Sequence, residues 1–86
     1  MALTLRGGVS TAETEYGLTL LDEKSGEYWT LNPTGALVLR TLLEGGNDKE
    51  AAAALTELFG VDAETAANDV TDLVHGLRSA SLVEST

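Results

Sequence analysis

His75 is the only histidine in the chain, and there is no cysteine. The side chains best spaced for acid–base chemistry are therefore Asp69, Asp72 and His75, at successive steps of three residues. On a helix that spacing makes them neighbours on one face, an arrangement routine on solvated helices that have no catalytic role. A lone His near a helix C-terminus ordinarily lies at the surface and interacts with the helix dipole. A metal site needs several converging ligands, and no second His or Cys is available to complete one. The glycine pairs Gly7-Gly8 and Gly45-Gly46 lack both the strand-to-helix setting and the lysine of a phosphate-binding loop. The expectation is no catalytic residue, no metal and no cofactor, in a protein that binds rather than catalyses.

Charge narrows the partners. Five Lys and Arg stand against fourteen Asp and Glu, a formal net charge of -9. Nucleic-acid affinity comes largely from neutralising phosphates, and this surface would repel them. Neutral or basic partners suit it better. An acidic chain of this length invites comparison with acyl carrier proteins, which carry their prosthetic arm on a serine in an Asp-Ser-Leu setting. Here Ser25 lies in Lys-Ser-Gly and Ser81 in Ala-Ser-Leu, so neither fits.

The 86 residues, 43% hydrophobic and 22% charged, read as one globular domain over 1–86. A domain of this size buries only roughly 60–65% of its unfolded surface, which leaves little space for a deep, dry active site. Without cysteine, disulfides are excluded. Met1 to Arg6 lack the apolar run of a signal peptide, and no stretch of about 18 apolar residues could span a membrane. A cytoplasmic protein with no membrane partner is expected.

The elements that would position a binding site follow from hydrophobic period. Val9 to Glu15, Gly17 to Asp22 and Glu27 to Leu31 read as extended, with the polar run Asp22-Glu23-Lys24-Ser25-Gly26 as a hairpin loop. Leu3-Thr4-Leu5 and Ser81-Leu82-Val83 read as short extended segments at either end. After Asn32 the period becomes helical. Asn32 is an N-cap followed by Pro33 at the first helical position, and Gly45-Gly46 ends that helix. Asn47 and Glu50 form a capping box for a second helix, packed through Leu55, Leu58 and Phe59 and stopped at Gly60. Asp62 caps a third, with Ala66, Val70, Leu73, Val74 and Leu77 at spacings of three and four. Three strands followed by three helices make an α+β fold of winged helix-turn-helix type.

In a simple meander the third strand is a sheet edge, whose unpaired backbone groups another chain can use. A DNA-binding reading of the same architecture would send the third helix into the major groove. That helix carries Asp62, Glu64, Asp69 and Asp72 against Arg78 and a single Asn68, which is poor chemistry for bases and phosphates.

The run from Gly17 to Ala36, with its Leu-Leu-Asp turn and Gly-x-Tyr-Trp-x-Leu-Asn-x-x-Gly leading into the first helix, resembles the PqqD-like family of leader-recognition proteins. Within that family it is most similar to the stand-alone RiPP recognition elements of lasso-peptide biosynthesis, over about Val9 to Val83. The resemblance implies that the leader of a ribosomal precursor peptide adds a strand to the third strand and lies against the third helix. It also implies a separate leader protease and an ATP-dependent cyclase as downstream partners.

Such capture is strand addition, in which backbone hydrogen bonds give affinity and side-chain pockets give selectivity. Glu27, Tyr28, Trp29, Thr30 and Leu31 would supply the edge. Leu73 and Leu77 would floor the groove, although leucines at this spacing are more often plain core, as on any buried helix face. Asp69 and Asp72 would meet basic leader residues, or are simply solvated. Gly76 would let a peptide side chain approach closely. Trp29 and Leu31 are expected inward with Tyr28 and Thr30 outward; the alternation also admits the opposite phase.

Overall fold

The computed structural model describes residues 3–85. Its elements are β1 (Leu3–Leu5), β2 (Val9–Thr14), β3 (Gly17–Asp22), β4 (Tyr28–Leu31), α1 (Pro33–Leu43), α2 (Asp48–Phe59), α3 (Ala63–Ser79) and β5 (Val83–Ser85). The expected three-stranded antiparallel meander is present in the order β2-β3-β4, followed by the three helices. Glu15 falls in the turn after β2 rather than in the strand.

The β3–β4 hairpin is held by its loop. Asp22 N–H donates to the Glu27 carbonyl at 2.9 Å, and Gly26 N–H to the Asp22 carbonyl at 2.8 Å, with Gly26 at φ 78°. The Asp22 carboxylate accepts from Lys24 N–H at 3.0 Å and pairs with Arg6 at 2.6 Å. Burial pushes the Asp22 carboxyl up, but the Lys24 and Ser25 hydrogen bonds and the Arg6 charge outweigh it and hold its pKa below the ordinary value.

Cross-strand register assigns the faces. Leu18 pairs with Leu31 and Leu20 with Trp29, while Leu21 pairs with Tyr28 and Thr19 with Thr30. Directly opposed residues share a face. Leu18, Leu20 and Leu31 are buried, so the inward phase is the one expected for Trp29 and Leu31. Trp29 nonetheless keeps 44% of its surface exposed, because β4 is the edge of the three-stranded sheet and no described strand pairs beyond it.

Each helix starts at its expected cap. Asn32 Oδ1 accepts from Gly35 N–H at 2.9 Å, Asn47 and Glu50 close the capping box at 2.8 and 3.0 Å, and Asp62 occupies the N-cap position of α3. Helix α1 is the hub, touching α2, α3, β1, β3 and β4. Its Ala36, Val38, Leu39 and Leu42 meet Ala51 and Leu55 of α2, Ala66, Val70, Val74 and Leu77 of α3, and the leucines of β3 and β4 in one apolar cluster. Leu58 and Phe59 were expected to pack in this core and do not. The last turn of α2 runs past it, leaving both exposed.

The two ends of the chain pair with each other. β1 and β5 form an antiparallel two-stranded sheet with Thr4 opposite Glu84 and Leu5 opposite Val83. The turn out of α3 sets this up. Ser81 N–H donates to the Arg78 carbonyl and Leu82 N–H to the Leu77 carbonyl, both at 3.0 Å, with Ser81 left-handed at φ 59°. That is a Schellman C-cap with serine where glycine is usual, and the buried Leu77 and Leu82 supply its apolar contact. Arg6 donates from Nε to the Ser81 carbonyl while its Nη2 holds Asp22, tying this turn to the β3–β4 loop.

Candidate functional site

The open edge begins one residue later than expected. Glu27 lies outside β4, its carbonyl accepts from Asp22, and its N–H donates to Ser25 Oγ at 3.2 Å. Both of its backbone groups are thus engaged within the hairpin. In an antiparallel ladder, hydrogen-bonded and non-bonded pairs alternate. Asp22–Glu27 is a bonded pair, so Trp29 and Leu31 also turn their backbone groups toward β3. Tyr28 and Thr30 therefore present N–H and C=O to the free side. The Glu23 N–H to Gly8 carbonyl bond, 2.9 Å, gives the matching phase on the β2 side of β3.

Beside the end of this edge lies a groove of about 250 Å³ between the start of α1 and α3. Asn32, Thr34 and Gly35 form one wall, Asp69 and Asp72 the other, and Val38, Leu55 and Leu73 also line it. Val38 and Leu55 are buried and Leu73 half-buried, which makes the floor apolar. Asp69 and Asp72 are exposed. Asn32 is immobilised by its cap, since Oδ1 also accepts from Thr34 Oγ1 at 3.0 Å.

Helical geometry sorts the α3 candidates. Asp69, Asp72, Leu73 and Gly76 stand at i, i+3, i+4 and i+7 on one stripe, of which Asp69, Asp72 and Gly76 are exposed and Leu73 is half-buried against the core. Around Gly76 the space is open, with nothing within 4 Å of where a β-carbon would be. Leu77 belongs to the neighbouring stripe with Ala66, Val70 and Val74; at 3% exposure it is core and not groove lining. Tyr28, Trp29 and Thr30 are exposed along the edge, and Leu31 is buried at its end.

Asn32, Thr34, Gly35, Val38 and Leu55 line the groove without having been singled out as site residues. Asn32 to Gly35 carried a signal, because the capped start of α1 follows the edge strand directly. Val38 and Leu55 carried none, since a floor residue and a core residue have the same apolar pattern.

Among the described residues no group of three or more His, Cys, Asp and Glu is placed to hold a metal ion. No helix among the described residues is long and apolar enough to cross a membrane. The exposed stripe of α3 is acidic, which disfavours it as a DNA-reading helix. What the arrangement can do is accept an extended segment: backbone groups at Tyr28 and Thr30, and an acid-walled apolar groove for a side chain beside them.

Two solved structures share this architecture. A lasso peptide synthetase B1 complexed with the leader peptide is 38% identical, covering 99% of this chain and 100% of that one, with a TM-score of 0.91. TbiB1 in complex with the TbiA(beta) leader peptide is 26% identical, covering 100% of this chain and 98% of that one, with a TM-score of 0.84. No curated protein matches the chain. The family model described as Coenzyme PQQ synthesis protein D (PqqD) matches residues 17–83, a span that holds the edge strand, the groove and α3 together, and the chain belongs to the PqqD family.

Proposed function

We propose that this protein captures the leader segment of a ribosomal precursor peptide of the lasso type, by strand addition to β4, and catalyses nothing itself. The leader would hydrogen-bond to Tyr28 and Thr30 and place one side chain in the groove between α1 and α3, where Asp69 and Asp72 favour a basic neighbour. Held there, the precursor would be presented to a separate leader protease and then to an ATP-dependent cyclase.

The observation that carries this reading is the free edge of β4 running into an acid-walled groove. The similarity to two leader-bound B1 proteins supports it. The test is a titration with the synthetic leader of the precursor encoded beside this chain, followed by Trp29 fluorescence and calorimetry. Saturable one-to-one binding is expected, lost when a proline or an N-methyl group interrupts the leader's pairing segment. Absence of binding by both methods overturns the proposal.

A further inference from the structure

The outward positions of the meander, Ser10, Ala12 and Thr14 on β2, Thr19 and Leu21 on β3, and Tyr28 and Thr30 on β4, include no charged residue. This is unusual for the solvent side of an antiparallel sheet, which is ordinarily polar and charged. It is more so in a chain with 19 charged side chains among its 86 residues. Ser10, Leu21 and Tyr28 form one cross-strand row, and Ala12, Thr19 and Thr30 the next. Around them lies a shallow trough of about 330 Å³, lined by Ser10, Thr11, Ala12, Thr19, Leu21 and Tyr28. Tyr28 ends its row at the open edge with 70% of its surface exposed, and Leu21 beside it keeps 38%.

A strand added to β4 extends every row by one residue. Its side chains alternate between the two faces, and those directly opposite Tyr28 and Thr30 point outward with them. The backbone groups that hold the strand belong to the same two residues. An outward side chain therefore lands against the Tyr28 ring whatever enters the groove.

We infer that the outer face of the sheet is a second reading surface for the bound leader. The leader carries an aromatic or β-branched residue directly opposite Tyr28, at an odd spacing from the residue that enters the α1–α3 groove. The inference rests on strand addition at β4, and names the feature of the peptide that the groove alone does not select. An aromatic or β-branched partner buries the ring, and the row Leu21–Tyr28 continues apolar across the new strand. A charged residue there would stand over an uncharged, apolar surface.

The test is a double-mutant cycle by calorimetry. The same synthetic leader, carrying alanine at each position of its pairing segment in turn, is titrated into wild type, Tyr28→Ser and Tyr28→Phe. Thermal melts confirm that the exposed substitutions leave the fold intact. One outward leader position is expected to weaken binding to wild type about fivefold when changed to alanine, and to change binding to Tyr28→Ser by less than about twofold. Tyr28→Phe should behave as wild type, because the ring and not the hydroxyl makes the contact. Groove-facing leader positions should lose the same factor on all three proteins. If the leader binds but no outward position couples to Tyr28, the second reading surface is overturned while strand addition stands. If the leader does not bind, or binds undiminished after backbone N-methylation, strand addition fails and this inference fails with it.

Discussion

Gly17 lies so close to the carbonyl of Leu31 that a β-carbon on Gly17 would stand 1.9 Å from that oxygen. The first residue of β3 and the last residue of β4 thus meet backbone to backbone, just where the chain turns into α1. Gly17 has φ 142°, which side chains avoid, so conformation and space both require glycine. Gly17→Ala is expected to destabilise the protein by about 3 kcal/mol or more, as both a backbone strain and an overpacking. Chemical denaturation measures it. The same variant should weaken leader binding even where it remains folded, because the Leu31–Asn32 junction leads into the groove wall.

Ser81 offers the opposite change. A non-glycine residue in the left-handed region costs about 1–2 kcal/mol, and Arg6 contacts only its carbonyl. Ser81→Gly should therefore keep the C-cap and raise stability by about 1 kcal/mol, a shift in Tm of about 4–8 °C for a chain of this size. An unchanged or lower Tm would mean that the serine side chain is needed in this turn.

Asp22, through its Lys24 and Ser25 hydrogen bonds and its pairing with Arg6, makes a pH-dependent contribution with a definite sign. Folding lowers the pKa of Asp22 below its ordinary value of 3.8, so its stabilisation is fully present above that value and is lost as pH falls through the folded value. Asp22→Asn should be less stable than wild type by a constant amount between about pH 5 and 7, with the difference shrinking as pH falls below about 4. Urea melts of both proteins across pH 2.5 to about 7 would show it.

Leu73 and Leu77 should separate binding from stability. Leu77→Ala opens a cavity in the core and is expected to cost about 2–5 kcal/mol. Leu73→Asn, at a half-buried position lining the groove, should cost markedly less stability but weaken the leader about tenfold or more. Paired melts and titrations decide it; equal effects in both variants would argue that α3 presents no groove floor at Leu73.

Gly76 makes a similar split. It is a helix-interior glycine with open space around it, so Gly76→Ala should stabilise α3 by up to about 1 kcal/mol. If the peptide approaches the helix there, the same methyl group slows association or hastens release. A stabilised variant with unchanged leader affinity would place the peptide path elsewhere on α3.

Much of this protein is written locally. The Asn32-Pro33 start of α1, the Asn47 and Glu50 capping box, the Asp22 to Gly26 loop and the apolar stripes of the helices all depend on residues within about one turn of each other. Their physical cause is therefore visible in the sequence. The acidic stripe of Asp69 and Asp72 follows from the same short-range periods, and the edge position of Tyr28 to Leu31 from the short loops that make the three strands a meander. Tertiary structure decided the rest. That Leu3 to Leu5 pairs with Val83 to Ser85 depends on where α3 ends, and residues 80 positions apart leave no periodic trace of their pairing. Leu58 and Phe59 fit a buried helix face by spacing, yet the length of α2 carries them beyond the core. Leu73 and Leu77 have the same side chain and the same helical period. Only the packing of α3 against α1 and α2 makes one a groove residue and the other core, because a period of 3.6 residues says which positions share a face and not what that face will meet.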